Sequence, residues 1–487
     1  MIASVPDLLR AADAAITRGD WADAIAGYQA ALADEPQHAA AWYNLGYAQR
    51  AEQDFHEALA SYQAALDRGI DQPEAVHVNR AAILSENLGR DAEAETELGL
   101  ALRRNPRFVV ALLNLGQIHE DRGDPEAARG AYARALTIDP HNGRALLRAT
   151  MIDLFAGQQG AMIPTLEAAL ADPHLPPDDR CDIGFALGNA YDAEGRYADA
   201  WRVIAEANRI DQSLLPARAR YDRAAHDALI NALCATVVPT TVADESVDAK
   251  TAPIFILGLF RSGSTLAEQI LGRHSAVMAG GEFDALPQLV ADAVQPYPAQ
   301  LADATADDVS QWRADYLAAV HASQSVTGLF TDKRCDNFLH VGLIKTLFPR
   351  AKILHTVRNP LDIMVSTLFL RFGSAVNYGG SPEDMAHWVA AYARVMAHWQ
   401  ARYGADIISI DYDRLVADPE PEVRAMLGGL GLPWEPACLQ VRDATTVRTA
   451  SAWQVRQPLH TRSSGRWRHY AGQLADSRSA LGLTDDD

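Results

Sequence analysis

The run Gly258-Leu259-Phe260-Arg261-Ser262-Gly263-Ser264-Thr265 stands between an apolar stretch, Ile254-Phe255-Ile256-Leu257, and Leu266, Ile270 and Leu271, which recur at helical spacing. A strand, a glycine-containing loop and a helix in that order aim backbone N–H groups and the positive end of a helix at an anion. Arg261 adds a fixed charge, and Ser262, Ser264 and Thr265 add hydroxyl donors. The two glycines have the GxxxxG spacing of a triphosphate-binding loop. Ser264, however, follows Gly263 where such a loop needs a lysine to reach the outer phosphates. An ordinary ATPase or kinase site is therefore disfavoured, and a two-phosphate-sized or phosphosulfate group, with Arg261 as its cation, fits better.

A second constellation lies about a hundred residues on. Ala351-Lys352-Ile353-Leu354-His355-Thr356-Val357 is predicted as a strand ended by Arg358 and Asn359, and Pro360 suits the first turn of a helix. Ser366, eight residues after Arg358, falls about two turns into that helix. A guanidinium at the strand end and a hydroxyl facing in from the helix can grip a phosphate from two sides. Both constellations sit at carboxyl ends of predicted strands, where open α/β sheets bind ligands.

These loops need a scaffold, and composition bounds it. The chain has 487 residues, a net charge of −20 and a pI near 5.1, enough for about two to four domains. A general polyanion binder needs a basic surface, so no nucleic-acid partner is expected and any anion site must be a local pocket in an acidic background. Cys181, Cys234, Cys335 and Cys438 are far apart, which supports neither a zinc site nor a disulfide framework. No apolar run approaches the roughly 18–20 residues of a membrane span, and no secretory signal is seen. A cytoplasmic protein with reduced thiols is expected, and no membrane partner.

The N-terminal part repeats. Small residues recur at Ala24, Ala58, Ala94 and Ala128, a bulky one follows at Tyr28, Tyr62, Leu98 and Tyr132, and alanine again at Ala31, Ala65, Ala101 and Ala135. Pro106 and Pro140 close units 34 residues apart. The first helix of each unit is marked by Leu45-Gly46, Leu115-Gly116 and Leu187-Gly188. The period and pattern resemble the tetratricopeptide repeat. Small residues let the two helices of a unit approach, and the bulky ones are expected to fill the groove against the next unit. Residues 143–180 read as a degenerate unit and 181–214 as a sixth. Farther on, IFILGL, AKILHTV and ADIISIDY alternate with helical patterns, which predicts a parallel sheet with crossovers.

FILGLFRSGSTLAEQIL and VRNPLDIMVS together resemble the two nucleotide motifs of the sulfotransferase family, whose donor is 3′-phosphoadenosine 5′-phosphosulfate (PAPS). GGEFD and DKRCDNFLHVGLI resemble the tyrosylprotein sulfotransferase branch and bacterial proteins that fuse tetratricopeptide repeats to such a domain. Phe260, Ser264 and Asn359 depart from the family's common Pro, Thr and Asp; the last puts a loop-ordering contact in doubt. The resemblance implies that the strand–loop–helix holds the 5′ end of the donor and that Arg358 and Ser366 hold its 3′-phosphate. It implies Glu282 as the base that takes the acceptor proton, with Asp284 as second choice. It also implies Lys333, with Arg261, as the group that neutralises charge on the leaving phosphate oxygen, with PAP as product and no metal. Residues 444–475 contain no Asp or Glu but hold Arg448, Arg456, Arg462, Arg466 and Arg468. This late basic segment resembles the family's closing loop. Ser451 and Arg456 are candidate contacts of the 3′-phosphate or ribose, Trp453 and Trp467 are expected to be packed inside rather than to cover the adenine, and Tyr412 is a weaker nucleotide-site candidate. His274, His340 and His355 show no metal-ligand spacing.

The expected architecture is an all-α tetratricopeptide solenoid followed by an α/β P-loop-like parallel-sheet sulfotransferase domain. The expected divisions are 1–215 for the solenoid, 216–252 for a helix and linker, 253–475 for the sulfotransferase domain and 476–487 for a polar tail. The expected activity is PAPS-dependent sulfuryl transfer to an acceptor hydroxyl or amine. The competing readings are an ATP-dependent kinase-like enzyme and a noncatalytic repeat scaffold. The repeats point to a peptide or protein acceptor or to self-association, carbohydrate and small-molecule acceptors stay open, and the sequence does not choose between them.

Overall fold

The computed structural model describes residues 4–158, 160–237, 253–324, 326–440 and 461–484. By internal contacts the chain forms two compact units, Met1–Ile152 and Asp153–Asp487.

The first unit is built from paired helices: α1 (Val5–Arg18) with α2 (Trp21–Asp34), α3 (Ala39–Ala51) with α4 (Phe55–Asp67), α5 (Pro73–Ala82) with α6 (Asp91–Arg104), and α7 (Val109–Arg122) with α8 (Pro125–Ile138). The repeated small–bulky–small triads fall on α2, α4, α6 and α8, and every member is at most 1% exposed. The bulky member also fills a groove inside its own unit, not only against the next one. A Cβ on Gly46 would meet the Tyr62 ring at 3.0 Å, and one on Gly116 the Tyr132 ring at 2.5 Å. Glycine is thus the residue that lets helix A pass over the ring of helix B. Helix α9 (Gly143–Phe155) spans the division between the units.

The second unit begins with α10 (Ile163–Leu170) and a further repeat-like pair, α11 (Pro177–Ala193) and α12 (Tyr197–Leu214). Helix α13 (Arg223–Ala235) starts at Asp222, whose side chain accepts the Ala225 N–H at 3.0 Å. Its Ile230 and Leu233 enter the main apolar core, so this helix is part of the packed unit and not merely a lead-in to the linker.

The sheet has β1 (Ile254–Gly258), β2 (Val277–Met278), β3 (Leu329–Lys333), β4 (Ile353–Val357) and β5 (Ile407–Asp411). Their order is β2-β3-β1-β4-β5, and every pairing is parallel. The helices between them are α14 (Ser264–Leu271), α15 (Ala285–Asp292), α16 (Gln300–Asp303), α17 (Ala306–Ser323), α18 (Val341–Leu347), α19 (Pro360–Leu368) and α20 (Pro382–Tyr403), followed by α21 (Tyr412–Ala417) and α22 (Pro419–Gly429). Alternate residues of β1 serve opposite faces. Phe255 and Leu257 pack with residues of α13, α15, α17, α18 and α20, and Ile254 and Ile256 with residues of α14 and α22. Both faces are covered, which is why β1 reads as a continuous apolar run. The 3₁₀ turn Arg466–Tyr470 and α23 (Ala475–Ala480) complete the described chain. In α23, Ser477 is buried and donates to the Pro382 carbonyl at 3.3 Å, so the beginning of the segment read as a polar tail is packed.

Candidate active site

Because all strands run parallel, their carboxyl ends share one edge, and each delivers one of the groups singled out above. The loop after β1 turns at Arg261, which has φ +70°, a left-handed conformation uncommon for a residue with a side chain. From that turn Arg261 Nε donates to Ser366 Oγ on α19 at 2.9 Å, and the Arg261 carbonyl accepts from Arg358 Nη1 at 2.9 Å. The two expected cradles therefore form one continuous site. Gly263 has φ +102°, and a Cβ there would lie 2.6 Å from Cδ2 of Tyr412; only glycine lets that ring close on the loop. The Tyr412 ring also carries the Arg358 guanidinium, 4.6 Å from its centroid. Ser264 and Thr265 begin α14, and both are buried. The Ser264 hydroxyl pairs with Cys335 Sγ at 3.4 Å, and Ser262 Oγ with Thr356 Oγ1 at 2.7 Å, which ties the β1 loop to β4.

Three guanidiniums converge here. Desolvation, followed by the positive charge of Arg358 and then that of Arg466, brings Arg261 down to about 10. Burial likewise lowers Arg358. Arg358 Nε and Arg466 Nε are buried with no hydrogen-bond partner among the described residues. Like charges withdrawn from water are costly unless an anion joins them, and in a chain of net charge −20 such a cluster is a specific feature of this edge.

On the other side of β1, the short β2 leads into Gly280-Gly281-Glu282. Gly280 N–H donates to Thr331 Oγ1 at 3.0 Å, Gly281 N–H to Glu268 Oε1 at 2.9 Å, and Lys333 N–H to the Gly281 carbonyl at 2.8 Å. A Cβ on Gly280 would fall on the Thr331 carbonyl oxygen, so the loop lies flat against β3. That geometry brings the half-exposed Glu282 carboxylate onto Lys333 Nζ, a hydrogen-bonded ion pair whose lysine is 1% exposed. Burial pulls the Lys333 ammonium down, but Glu282 and Glu268 more than offset this and its pKa lies above the ordinary lysine value. Burial raises Glu268 despite the charge of Lys333. Asp284 is mostly exposed and pairs with Arg334, which also holds Asp336 at 2.7 Å; this places it in a surface ion-pair cluster apart from the Glu282–Lys333 pair.

In sheet order the edge thus reads Glu282, Lys333, the Arg261 loop, Arg358 and Tyr412. The doubt over Asn359 is resolved by its contacts: its side chain caps α19, accepting from Leu361 N at 2.9 Å and Asp362 N at 3.2 Å. Several participants carried no assigned role in the sequence reading. Asp362 accepts Gly465 N–H at 2.6 Å and Trp467 N–H at 2.8 Å, Arg358 Nη2 donates to the Ser463 carbonyl at 2.5 Å, and Ser464 bonds Asp413. These contacts bring residues 463–467 of the late basic segment, Arg466 among them, to the site. The sequence signals for it were the run of arginines without acidic residues and the resemblance to a closing loop. Trp467 is buried. Ser451, Arg456 and Trp453 lie outside the described residues. The histidines have packing partners: His274 the Pro433 carbonyl at 3.0 Å, His340 Tyr297 at 3.2 Å and His355 Tyr392.

Residues 253–436 match the model of the sulfotransferase family, and residues 9–73 and 80–143 that of the tetratricopeptide repeat. An uncharacterized protein of Aquifex aeolicus is 30% identical over 422 residues, covering 83% of this chain and 54% of that protein. Protein FlbA of Caulobacter vibrioides is 27% identical over 187 residues, 38% of this chain and 30% of its own length. The chain thus spans about half of the first relative and under a third of the second. Among solved structures, the sulfotransferase domain of the Synechococcus PCC 7002 olefin synthase matches with TM-score 0.32 at 19% identity, covering 48% of this chain and 98% of that one. A tetratricopeptide repeat protein of Parabacteroides merdae matches with TM-score 0.34 at 22% identity, covering 43% and 84%. No helix among the described residues is long and apolar enough to cross a membrane.

Proposed function

We propose, on the premise that this chain joins tetratricopeptide repeats to a sulfotransferase-family domain, that it moves a sulfuryl group from PAPS to an acceptor hydroxyl or amine. The observation that carries this reading is the order of groups along the sheet edge: a carboxylate and a buried ammonium at one end, the Arg261 loop between, and Arg358 with Arg466 toward the other. A bis-anionic donor with its reactive end toward β3 and its far phosphate toward β4 matches that order. The fit is supported by the Nε atoms of Arg358 and Arg466, buried with no hydrogen-bond partner among the described residues.

When bound, PAPS supplies the sulfuryl group, whose bond to a phosphate oxygen breaks as the bond to the acceptor forms. Glu282, half-exposed, takes the acceptor proton. Lys333 and Arg261 neutralise charge where the phosphate oxygen departs; held in place before reaction, they need little reorganisation. Arg358 and Ser366 hold the 3′-phosphate, backbone N–H groups and Thr265 at the start of α14 hold the 5′ end, and Tyr412 closes the loop. Glu282 serves as the base in preference to Asp284 because it is the one of the two that meets Lys333, whereas Asp284 pairs with Arg334. The repeats supply docking for a peptide or protein acceptor, and the site of action is cytoplasmic.

Calorimetry with adenosine 3′,5′-bisphosphate (PAP) tests the donor site, followed by transfer from radiolabelled PAPS to a panel of hydroxyl and amine acceptors. The expected result is PAP binding without added metal, not displaced by ATP, and label on an acceptor. Tight, magnesium-dependent ATP binding with no PAP binding would overturn the reading in favour of a kinase-like enzyme.

A further inference from the structure

Arg466 belongs to the guanidinium cluster, yet its nearest charged partner is not in the sheet region. Its Nη2 is 2.9 Å from Asp192 Oδ2 on α11, the first helix of the last repeat-like pair. The other Asp192 oxygen is taken by Tyr470 OH, and the Phe369 ring lies 4.5 Å from the Arg466 guanidinium. Tyr197 of α12 stacks on His469 with centroids 4.0 Å apart. The turn that carries Arg466 is therefore clamped from two sides, by Asp362 of α19 through the Gly465 and Trp467 amides and by Asp192 of α11 through side chains.

The same pair of helices finishes α19, the helix bearing Ser366. A helix leaves its last carbonyls without intrahelical donors. Here Asn208 Nδ2 donates to the Leu368 carbonyl and Asn189 Nδ2 to the Phe369 carbonyl, both at 2.9 Å. Just beyond, Arg371 reaches Asp211 and Asp182 at 2.8 Å each, and Asp178 at 2.5 Å. An interface of nonspecific packing would not need two asparagines on two successive orphan carbonyls and a carboxylate on an anion-site arginine.

We infer that the last repeat-like pair is a wall of the donor site, with Asp192 as a positioning residue that holds Arg466 beside Arg358 for the 3′-phosphate. This rests on the donor reading given above. Asp192 touches no donor atom; it orients a side chain that does. Without it, Arg466 turns away from two like charges, and the phosphate loses one charge-assisted partner.

The test is nucleotide binding by the full chain, measured by calorimetry at a temperature where each variant is folded by circular dichroism. PAP is compared with adenosine 5′-monophosphate, which lacks the 3′-phosphate. Asp192→Ala is expected to weaken PAP about tenfold or more and the monophosphate by less than about threefold. Asp192→Asn, which keeps an acceptor for Arg466, is expected to recover part of the loss. In an Arg466→Ala background, Asp192→Ala should add less than about twofold, since the two act as one unit. Unchanged PAP affinity in Asp192→Ala, equal weakening of both nucleotides, or full additivity with Arg466→Ala would each overturn the inference while leaving the donor reading intact. Failure of the unaltered chain to bind PAP would overturn the donor reading and this inference with it.

Discussion

Lys333 shows how a single residue acquires a role from burial. An ammonium with 1% of its side chain exposed survives only because carboxylates surround it, and the nearest is Glu282, the base proposed above. Glu282→Gln is expected to lower turnover with PAPS by about 10²–10⁴-fold while PAP affinity, read by calorimetry, changes little. Lys333→Met should lower turnover comparably. Asp332, next door on β3, faces away from this pair. It is fully buried against Tyr316 OH at 2.7 Å and Asn337 Nδ2 at 3.1 Å, and burial raises it to about 7. A carboxyl raised above its unfolded value of 3.8 binds its proton more tightly in the folded chain. Its contribution is therefore fully present below about 4 and lost as pH rises through about 7. Denaturant midpoints should fall between pH 5 and 8 in the unaltered chain, and Asp332→Asn should flatten that slope.

At the scale of elements, the parallel sheet converts sequence-distant loops into a linear array. Adjacency of β1 to both β3 and β4 sets the Arg261 loop between Lys333 and Arg358. The loop keeps its shape through one glycine: Gly263→Ala would drive a methyl into Tyr412 in a backbone region where side chains are strained. That variant is expected to lose PAP binding by more than tenfold with the far-ultraviolet dichroism spectrum unchanged. Helix α19 depends on its cap. Asn359→Ala removes the acceptor for two amides and should lower stability by about 1 kcal/mol, whereas Asn359→Asp should restore it.

For the molecule as a whole, the family match begins at residue 253, but the core does not. Ile230 and Leu233 of α13 lie in the main apolar cluster, and α11 and α12 cap α19. A fragment starting at residue 253 is expected to be poorly soluble or to melt well below the full chain, whereas one starting at 153 should retain a cooperative transition and PAP binding. Equal melting temperatures and PAP affinities for the two fragments would show that the helices before the linker contribute nothing to the sheet domain.

The amino-acid sequence by itself determined the features that depend on local pattern. Repeats announce themselves because each unit buries the same small and bulky positions, and all twelve triad residues are at most 1% exposed. Strand β1 and the loop after it were legible because a strand buried on both faces is apolar throughout, and because a helix start with glycine and hydroxyls has few other uses. Strand β3 was not legible: Thr331, Asp332 and Lys333 are polar and fully buried, satisfied by partners that no linear pattern reveals. The same holds for Glu268, whose bonds to the β2–β3 side of the site span 13 and 63 residues. Only the tertiary structure decided that the two anion cradles are one, that Glu282 rather than Asp284 meets Lys333, and that Asp192 of a repeat-like helix reaches Arg466. Each of these is a side-chain contact across a distance set by strand order and helix packing, and local periodicity carries no information about such distances.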